Sequence, residues 1–305
     1  GLFLAKGGPF PVLLAGMGGV SYAEIAAAVS NAGGFGSLGM AGCTPEFIGA
    51  QMRAVKALTD KPFGVDLLTA QPESLTASVD IIIKEGAKAF IAGLGVPVAI
   101  IDRLKQAGVI VMCMAGNVRR AVKAAEAGCD VIIAQGTEGG GHTGSVASVA
   151  LWPQCVDAVD IPVIAAGGLF DGRGLAAALA MGCQGVWMGT RFIASAEAHA
   201  GQPYKDALVA MNESDTVISK VFTGKTLRAL ANRVGDLSAP HESLTERENA
   251  VFELVVDGKI PKEIGFELSL APSTVYAHVE KVKAKLGAAT LVDVVRYAER
   301  WGLRR

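Results

Sequence analysis

Short apolar runs alternate with Ala-rich stretches along the first two thirds of the chain. The runs are continuously apolar, which is typical of strands that are buried on both faces, as in a parallel sheet. They predict eight strands, at 11–17, 35–40, 63–68, 89–95, 109–116, 129–136, 161–168 and 185–190. The stretches between nearly all of them have a helical pattern, as at 22–34 and 45–58.

This alternation predicts an α/β fold. Eight βα units in roughly 200 residues fit the small end of the range for a (β/α)8 TIM barrel. An open doubly wound sheet is the alternative, but it would need fewer strands and a GxGxxG turn after the first strand. The chain has AGMGGVS there instead, so we predict the barrel.

A different pattern begins near residue 244 and predicts four short helices, hence a small all-α domain. Thr245 and Glu248 have capping-box spacing, and Asp257-Gly258 ends the first helix. Pro261 and Pro272 begin the second and third helices, which end near Leu268 and Leu286, and Thr290 caps the fourth.

The boundary between the two parts is predicted from composition. Residues 196–236 are expected to form mixed polar helix and turn, and the polar, Gly- and Pro-containing stretch 234–243 is expected to be a linker. We therefore predict two domains, 1–236 and 237–305.

Composition adds limits to this picture. Hydrophobic residues make up 51% of the 305 positions, so the chain can bury enough apolar surface to avoid disorder. The net charge is -1, so any surface that binds nucleic acid must be local. Five scattered cysteines without CxxC spacing argue against a disulfide framework and a metal site, and favour the cytoplasm. We expect no membrane span and no signal peptide.

Glycine clusters follow the seventh and eighth predicted strands. Gly167-Gly168 and Gly189-Thr190 lie at the carboxyl ends of those strands, where barrel enzymes commonly bind phosphate. Bare backbone amides can approach phosphate oxygens closely, and the Thr190 hydroxyl can add a donor. The alternative is that these glycines only make tight turns.

The loop after the sixth strand, QGTEGGGHTG (135–144), places His142 among glycines. So many glycines weaken local structure, and close approach to a flat ligand would offset that cost. An imidazole can accept or donate a proton near neutral pH. The alternative is a loop histidine with a structural hydrogen bond. Two other histidines, His199 and His241, are expected to be solvated.

Five motifs carry a resemblance to a known family. PVLLAGMGGVSYAEIAAAVSNAGGFGSLG, PFGVDLL, AQGTEGGGHTG, IPVIAAGGLFDGRG and MGTRFIAS occur in this order and resemble the nitronate monooxygenase (2-nitropropane dioxygenase) family. The flavin-type enoyl-acyl-carrier-protein reductases have similar motifs. The likeness covers 9 to about 233, and the segment that follows in the family is expected to be missing here.

The resemblance implies FMN as cofactor and His142 as the catalytic acid or base. It places the phosphate on the glycine clusters and the flavin ring against the loop after the first strand. The implied cofactor-binding residues are Ala15, Gly16, Met17, Asp66, Gln135, Gly140, Gly141, Ala166, Gly167, Gly168, Gly189 and Thr190. Family members often have Asn where Asp66 stands, and a carboxylate there would disfavour an anionic reduced flavin.

Two activities are compatible with the resemblance. A nitronate monooxygenase oxidises alkyl nitronates with O2, and His142 would serve to deprotonate neutral nitroalkanes. An enoyl or quinone reductase would instead take electrons from NADH or NADPH. The expected partners are accordingly a small-molecule substrate, O2 and, in the second case, NAD(P)H.

Residues 244–303 resemble the LuxR-type helix-turn-helix domain. In that family the third helix reads base edges in the major groove, and lysines contact phosphates. The implied DNA-binding residues are Lys262, Ser273, Thr274, Tyr276, Lys281 and Lys283. Val275, Val279 and Val282 should face the core, and Ala271 lacks the usual capping side chain. Two alternatives stay open: a flavin- or ligand-responsive transcription regulator, and a protein-interaction bundle. A homodimer through the fourth helix is a further expectation.

Overall fold

The computed structural model describes residues 9–69, 72–220, 224–231, 241 and 244–300. Eight parallel strands form one sheet. Their bounds are β1 Val12–Leu14, β2 Gly36–Gly39, β3 Phe63–Leu68, β4 Ala89–Gly93, β5 Ile110–Ala115, β6 Val131–Gln135, β7 Val163–Ala166 and β8 Val186–Met188. Their order in the sheet is β1-β8-β7-β6-β5-β4-β3-β2. A parallel bridge between Leu13 and Phe35 joins the two ends of the sheet. The predicted TIM-barrel fold is confirmed.

Helices follow the strands and cover the outside of the sheet. They are α1 Ala23–Asn31, α2 Pro45–Leu58, α3 Pro72–Glu85, α4 Ile101–Gln106, α5 Val118–Glu126, α6 Ser148–Ala158, α7 Gly172–Ala180, α8 Thr190–Ile193 and α9 Gln202–Ala210. Local sequence explains several starts, since Thr44 caps α2, Asn117 caps α5 and Asp171 caps α7 through side-chain oxygens.

The barrel strands are buried on both faces, which explains their continuous apolar runs. Residues such as Leu13, Ile91 and Trp187 pack inside the barrel. Alternate residues such as Leu14 and Phe90 pack against the helices instead. Fully burying one such side chain contributes about 1.5–3 kcal/mol, so the two layers together account for most of the driving force for folding.

The contact pattern divides the chain into Gly1–Asn212 and Glu213–Arg305. The domain boundary predicted after residue 236 lies outside the described residues, as does the predicted linker 234–243 except for His241. No described helix is both long enough and apolar enough to cross a membrane.

An antiparallel hairpin opens the second unit. Strands β9 Thr216–Ser219 and β10 Leu227–Leu230 pair in register from Thr216–Leu230 to Ser219–Leu227. The expectation of mixed helix and turn over 196–236 was therefore wrong for this segment. The apolar, β-branched residues of β9 and the turn-forming Gly224 are the local signals that favour a hairpin.

Four helices follow, α10 Glu246–Val256, α11 Pro261–Leu268, α12 Pro272–Leu286 and α13 Leu291–Arg300, and their predicted starts and ends are confirmed. Val275, Val279 and Val282 are buried in their common core, as predicted. Ala271 stands at the N-cap of α12 and makes no capping hydrogen bond through its side chain.

The capping box of α10 also joins that helix to α12. Glu248 accepts a hydrogen bond from the Thr245 backbone N–H at 2.8 Å and pairs with Lys285 at 2.6 Å. The Lys285 ammonium, followed by the Thr245 backbone amide, lowers the pKa of the Glu248 carboxyl to about 2. Glu248 is therefore ionised across the neutral range.

Candidate active site

The loop after β1 and the end of β8 form one side of the barrel mouth. The Ala15 backbone N–H donates to the Met188 carbonyl at 2.8 Å, and the Met17 N–H donates to the Ser21 hydroxyl at 2.7 Å. A Cβ on Gly189 would lie 3.3 Å from Ala15 Cβ and 3.1 Å from Met17 Sδ. Three predicted cofactor residues, Ala15, Met17 and Gly189, therefore share one surface.

Asp66 lies beside this surface, near the carboxyl end of β3. Its neighbours Val65 and Leu67 pack toward the helices, so strand alternation turns Asp66 toward the barrel interior. A Cβ on Gly16 would come 2.2 Å from Asp66 Cβ and 2.7 Å from its Oδ2. Only glycine fits at position 16 without moving the acid. Burial raises the pKa of the Asp66 carboxyl well above its ordinary value.

The loop after β6 folds back over the end of its own strand. Gln135 Nε2 donates to the His142 carbonyl at 3.1 Å and to the Gly140 carbonyl at 3.5 Å, while Thr143 Oγ1 donates to the Gly136 carbonyl at 3.0 Å. These bonds hold the backbone of half-buried His142 at the barrel mouth. Gln135 therefore positions the histidine loop, a role that the sequence did not indicate.

Glu138 and Ser148 fasten the same loop to helix α6. Glu138 Oε2 accepts hydrogen bonds from the Ser148 N–H at 2.9 Å and from its hydroxyl at 2.6 Å. Ser148 is also within hydrogen-bond distance of the Gly167 carbonyl, at 3.1 Å. Sequence reasoning missed both residues, although a serine at the start of a helix is a recognisable signal.

The loops after β6, β7 and β8 pack closely. Gly167 has φ +99°, and a Cβ there would lie 3.0 Å from the Gly136 carbonyl oxygen. A Cβ on Gly168 would lie 3.3 Å from Glu138 Cβ, and one on Gly140 would lie 3.3 Å from Thr190 Oγ1. Glycine at these positions therefore lets the three loops pack closely where the phosphate was predicted.

The remaining predicted cofactor residues belong to the same region. Ala166 is buried at the end of β7, and its carbonyl accepts a hydrogen bond from the Gly136 N–H at 3.0 Å. Gly141 is exposed, has φ +72° and precedes His142. The structure thus places all twelve predicted cofactor residues at the carboxyl ends of β1, β3, β6, β7 and β8 or in the loops that follow.

His199 is exposed, as expected, and it also supports the loop after β1. Its Nδ1 lies 3.0 Å from the Gly19 carbonyl, and its ring centroid lies 4.9 Å from that of Tyr22. His241 was also expected to be solvated, and its Nδ1 lies 2.9 Å from Tyr297 Oη. Both partners are distant in sequence, so a local pattern could not reveal them.

The predicted DNA-binding residues lie on α11 and α12. Lys262, Ser273, Thr274, Tyr276 and Lys281 are exposed. Lys283 is half-buried and pairs with Glu280 at 2.9 Å, so its charge is already partly compensated. Ser269 separates the two helices in a left-handed conformation, φ 56°.

The glycines of the barrel mouth are compatible with a flavin ligand. A Cβ at Gly16, Gly140 or Gly189 would fall within 3.3 Å of a neighbouring protein atom, so glycine lets the loops of the mouth pack closely and keeps their backbone free of side chains. The buried Asp66 carboxyl is directed toward the same mouth, where a polar ligand atom can pair with it.

The family model for nitronate monooxygenase matches residues 5–78 and 73–289 of the chain. The chain belongs to the nitronate monooxygenase family. Members of this family are oxidoreductases. The matched residues extend through α12, beyond residue 233, where the likeness was predicted to end.

Individual relatives have names that describe different activities. The chain is 43% identical over 220 residues to a (3aS,4S,5R,7aS)-5-hydroxy-7a-methyl-1-oxo-octahydro-1H-indene-4-carboxyl-CoA dehydrogenase of Rhodococcus jostii, covering 72% of this chain but only 62% of that protein. It is 34% identical over 269 residues to a probable nitronate monooxygenase of Staphylococcus aureus, covering 73% and 76%. The structure of FabK from Thermotoga maritima aligns with TM-score 0.74 and 31% identity, covering 94% and 95%.

Proposed function

We propose that this protein is an FMN-dependent nitronate monooxygenase that oxidises alkyl nitronates with O2. The observation that carries the proposal is the convergence of bare backbone, Asp66 and the His142 loop at one end of the barrel. Family membership and the Staphylococcus aureus relative support the same activity.

Different residues of the chain would bind the phosphate, contact the flavin ring and accept the substrate proton. The amides of Gly167, Gly168, Gly189 and Thr190 would hold the phosphate of FMN, and Ala15, Gly16 and Met17 would border its ring. Bound FMN would supply the one-electron and two-electron chemistry that side chains lack. His142 would accept the α-proton of a neutral nitroalkane to give the nitronate, and Gln135 would keep the histidine loop in place.

Anaerobic titration of the full chain tests this proposal. We expect the purified protein to bind FMN, and its flavin absorbance to bleach when an alkyl nitronate is added without O2. Readmission of O2 should restore the colour and release the oxidised product. A protein that binds no FMN, or whose flavin stays oxidised with every nitronate offered, contradicts the proposal.

A second candidate activity is an NAD(P)H-dependent enoyl or quinone reductase, or a dehydrogenase of an acyl-CoA. The likeness to FabK and the identity to the Rhodococcus dehydrogenase favour it. In that case NADH or NADPH should bleach the flavin anaerobically while nitronates leave it oxidised, so the same titration separates the two candidates.

We also propose that helices α11 and α12 bind DNA, so that the flavin state or a bound ligand can regulate transcription. The support is the turn at Ser269 and the exposed row of Ser273, Thr274 and Tyr276 at the start of α12. The extension of the family match through α12 favours the alternative, in which these helices belong to the oxidoreductase itself.

Gel-shift titration of the full chain against a pool of DNA sequences decides between these alternatives. If α12 reads DNA, one selected sequence should be retained at physiological salt. Lys281→Ala should then reduce the slope of log K against log salt by about 1, since one phosphate contact is lost. Lys123→Ala, on α5 of the barrel, is the matched control. Equal, weak retention of every sequence would exclude specific recognition.

A further inference from the structure

The Asp66 carboxyl occupies an unusually apolar environment for an acid at the end of a strand. Its residue is 7% exposed. Its register partners on the flanking strands are Gly39 on β2 and Ile91 on β4, and a Cβ on Gly93, further along β4, would lie 3.4 Å from Asp66 Oδ1. Gly16 covers the acid from the loop after β1. No described side chain donates a hydrogen bond to either carboxyl oxygen.

The described charged side chains on the elements next to β3 do not pair with Asp66. Strands β2 and β4 contain no ionisable residue, and Cys43, in the loop after β2, has a pKa raised by burial and is a neutral thiol. The described charged side chains of helices α1, α2 and α3 are Glu24, Glu46, Arg53, Lys56, Asp80, Lys84 and Glu85. Of these, Arg53 and Lys56 pair with Glu85, and Asp80 pairs with Arg103.

We propose that Asp66 is a neutral carboxylic acid that donates a hydrogen bond from the barrel wall to the ligand bound in the mouth. A neutral acid carries one O–H donor and a carbonyl acceptor, whereas a carboxylate can only accept. An uncompensated carboxylate in this position would be costly because burial removes its hydration without supplying donors. Naming that ligand as FMN rests on the proposed function above.

The protonation state of Asp66 determines whether it repels or stabilises the negative charge of a ligand that accepts electrons. Burial raises the pKa of the Asp66 carboxyl well above its ordinary value, which favours the protonated form that the proposal requires. A neutral acid does not repel the negative charge that a reduced ligand acquires, and its O–H stabilises that charge. A neutral Asp66 should therefore favour an anionic reduced flavin, whereas a carboxylate at this position was expected to disfavour it.

Infrared spectroscopy of the apo protein tests the protonation state without any cofactor. At pH 7 we expect the C=O stretch of a protonated carboxylic acid, which Asp66→Asn should remove. Asp171→Asn is the matched control, because Arg173 lowers the pKa of Asp171 and keeps it ionised, so that variant should retain the band. If Asp66→Asn does not fold, aspartate labelled with 13C in the unaltered chain gives the same answer. Absence of the band overturns the proposal.

Unfolding of the apo protein provides a second readout. A folded-state pKa above the unfolded value stabilises the fold below about pH 4, and this stabilisation is lost as the pH rises through the folded pKa. The unfolding free energy of the unaltered chain should therefore fall relative to that of Asp66→Asn between pH 4 and 8. A constant difference over this range contradicts a neutral Asp66.

FMN titration of Asp66 variants tests whether Asp66 donates a hydrogen bond to the ligand. Asp66→Asn keeps an N–H donor and should bind FMN within a few-fold of the unaltered chain, whereas Asp66→Ala should bind roughly tenfold more weakly. Equal binding by all three proteins rejects the donor role. If no protein binds FMN, the proposed function fails, while the infrared and unfolding results still decide whether Asp66 is neutral.

Discussion

Replacement of His142 by alanine is expected to lower kcat/KM for neutral nitroalkanes by about 10²–10⁴-fold, the usual contribution of a general base. Preformed nitronates need no deprotonation, so their oxidation should change far less. The structural reason is that Gln135 fixes the His142 backbone at the barrel mouth, where an imidazole can reach a bound substrate. The measurement is steady-state kinetics with each nitroalkane and its nitronate on the FMN-loaded enzyme.

His142→Gln is the matched control for this experiment. It preserves a side chain of similar size that can form hydrogen bonds, but it cannot act as a base near neutral pH. If proton abstraction is the role of His142, the glutamine variant should be as impaired with nitroalkanes as the alanine variant. Equal losses with nitroalkanes and nitronates would instead assign His142 to substrate binding.

Replacement of Gly136 by alanine is expected to destabilise the barrel by about 1–3 kcal/mol and to impair catalysis together with it. A Cβ at this position would lie 2.1 Å from Ser148 Oγ and 2.4 Å from the Ser148 backbone nitrogen. Relief of the clash must displace either helix α6 or the loop that carries His142. Denaturant unfolding and nitroalkane kinetics measure the two consequences.

Two further variants make this prediction specific. Gly172→Ala, at the first residue of α7, has no neighbour within 4 Å of the added Cβ and should leave stability unchanged or slightly raised. Ser148→Gly added to Gly136→Ala should fail to restore stability, because the contact with the backbone nitrogen persists. Full rescue by the second substitution would show that the side-chain contact alone was responsible.

The sequence predicted the elements well because their signals are local. The bounds of β3, α2, α11 and α12 agree with the pattern of apolar residues, prolines and caps. Other strands were predicted too long, for example 11–17 against Val12–Leu14, because glycine and small apolar residues continue past the point where the chain leaves the sheet. That point is set by contacts between loops, which periodicity does not report.

The sequence predicted a position for the candidate site but not its internal contacts. The glycine clusters and the general rule for barrel enzymes predicted a site at the carboxyl ends of the strands, and the structure places these residues together there. The bond from Glu138 to Ser148, the hold of Gln135 on His142 and the contact of His199 with Gly19 were not predicted. Each of these contacts depends on how the loops fold, so no fixed spacing in the sequence predicts it.

The barrel closes between β1 and β2, and this seam should separate more readily than the longer strand pairs. These strands meet through the Leu13–Phe35 bridge, with backbone hydrogen bonds from Leu14 N–H to the Phe35 carbonyl and from Phe35 N–H to the Val12 carbonyl. The pairs β3–β4 and β4–β5 each span four or five residues. Amide protons along this seam should therefore exchange with solvent before those of β4, and transient separation there would widen the entrance beside Gly16 first.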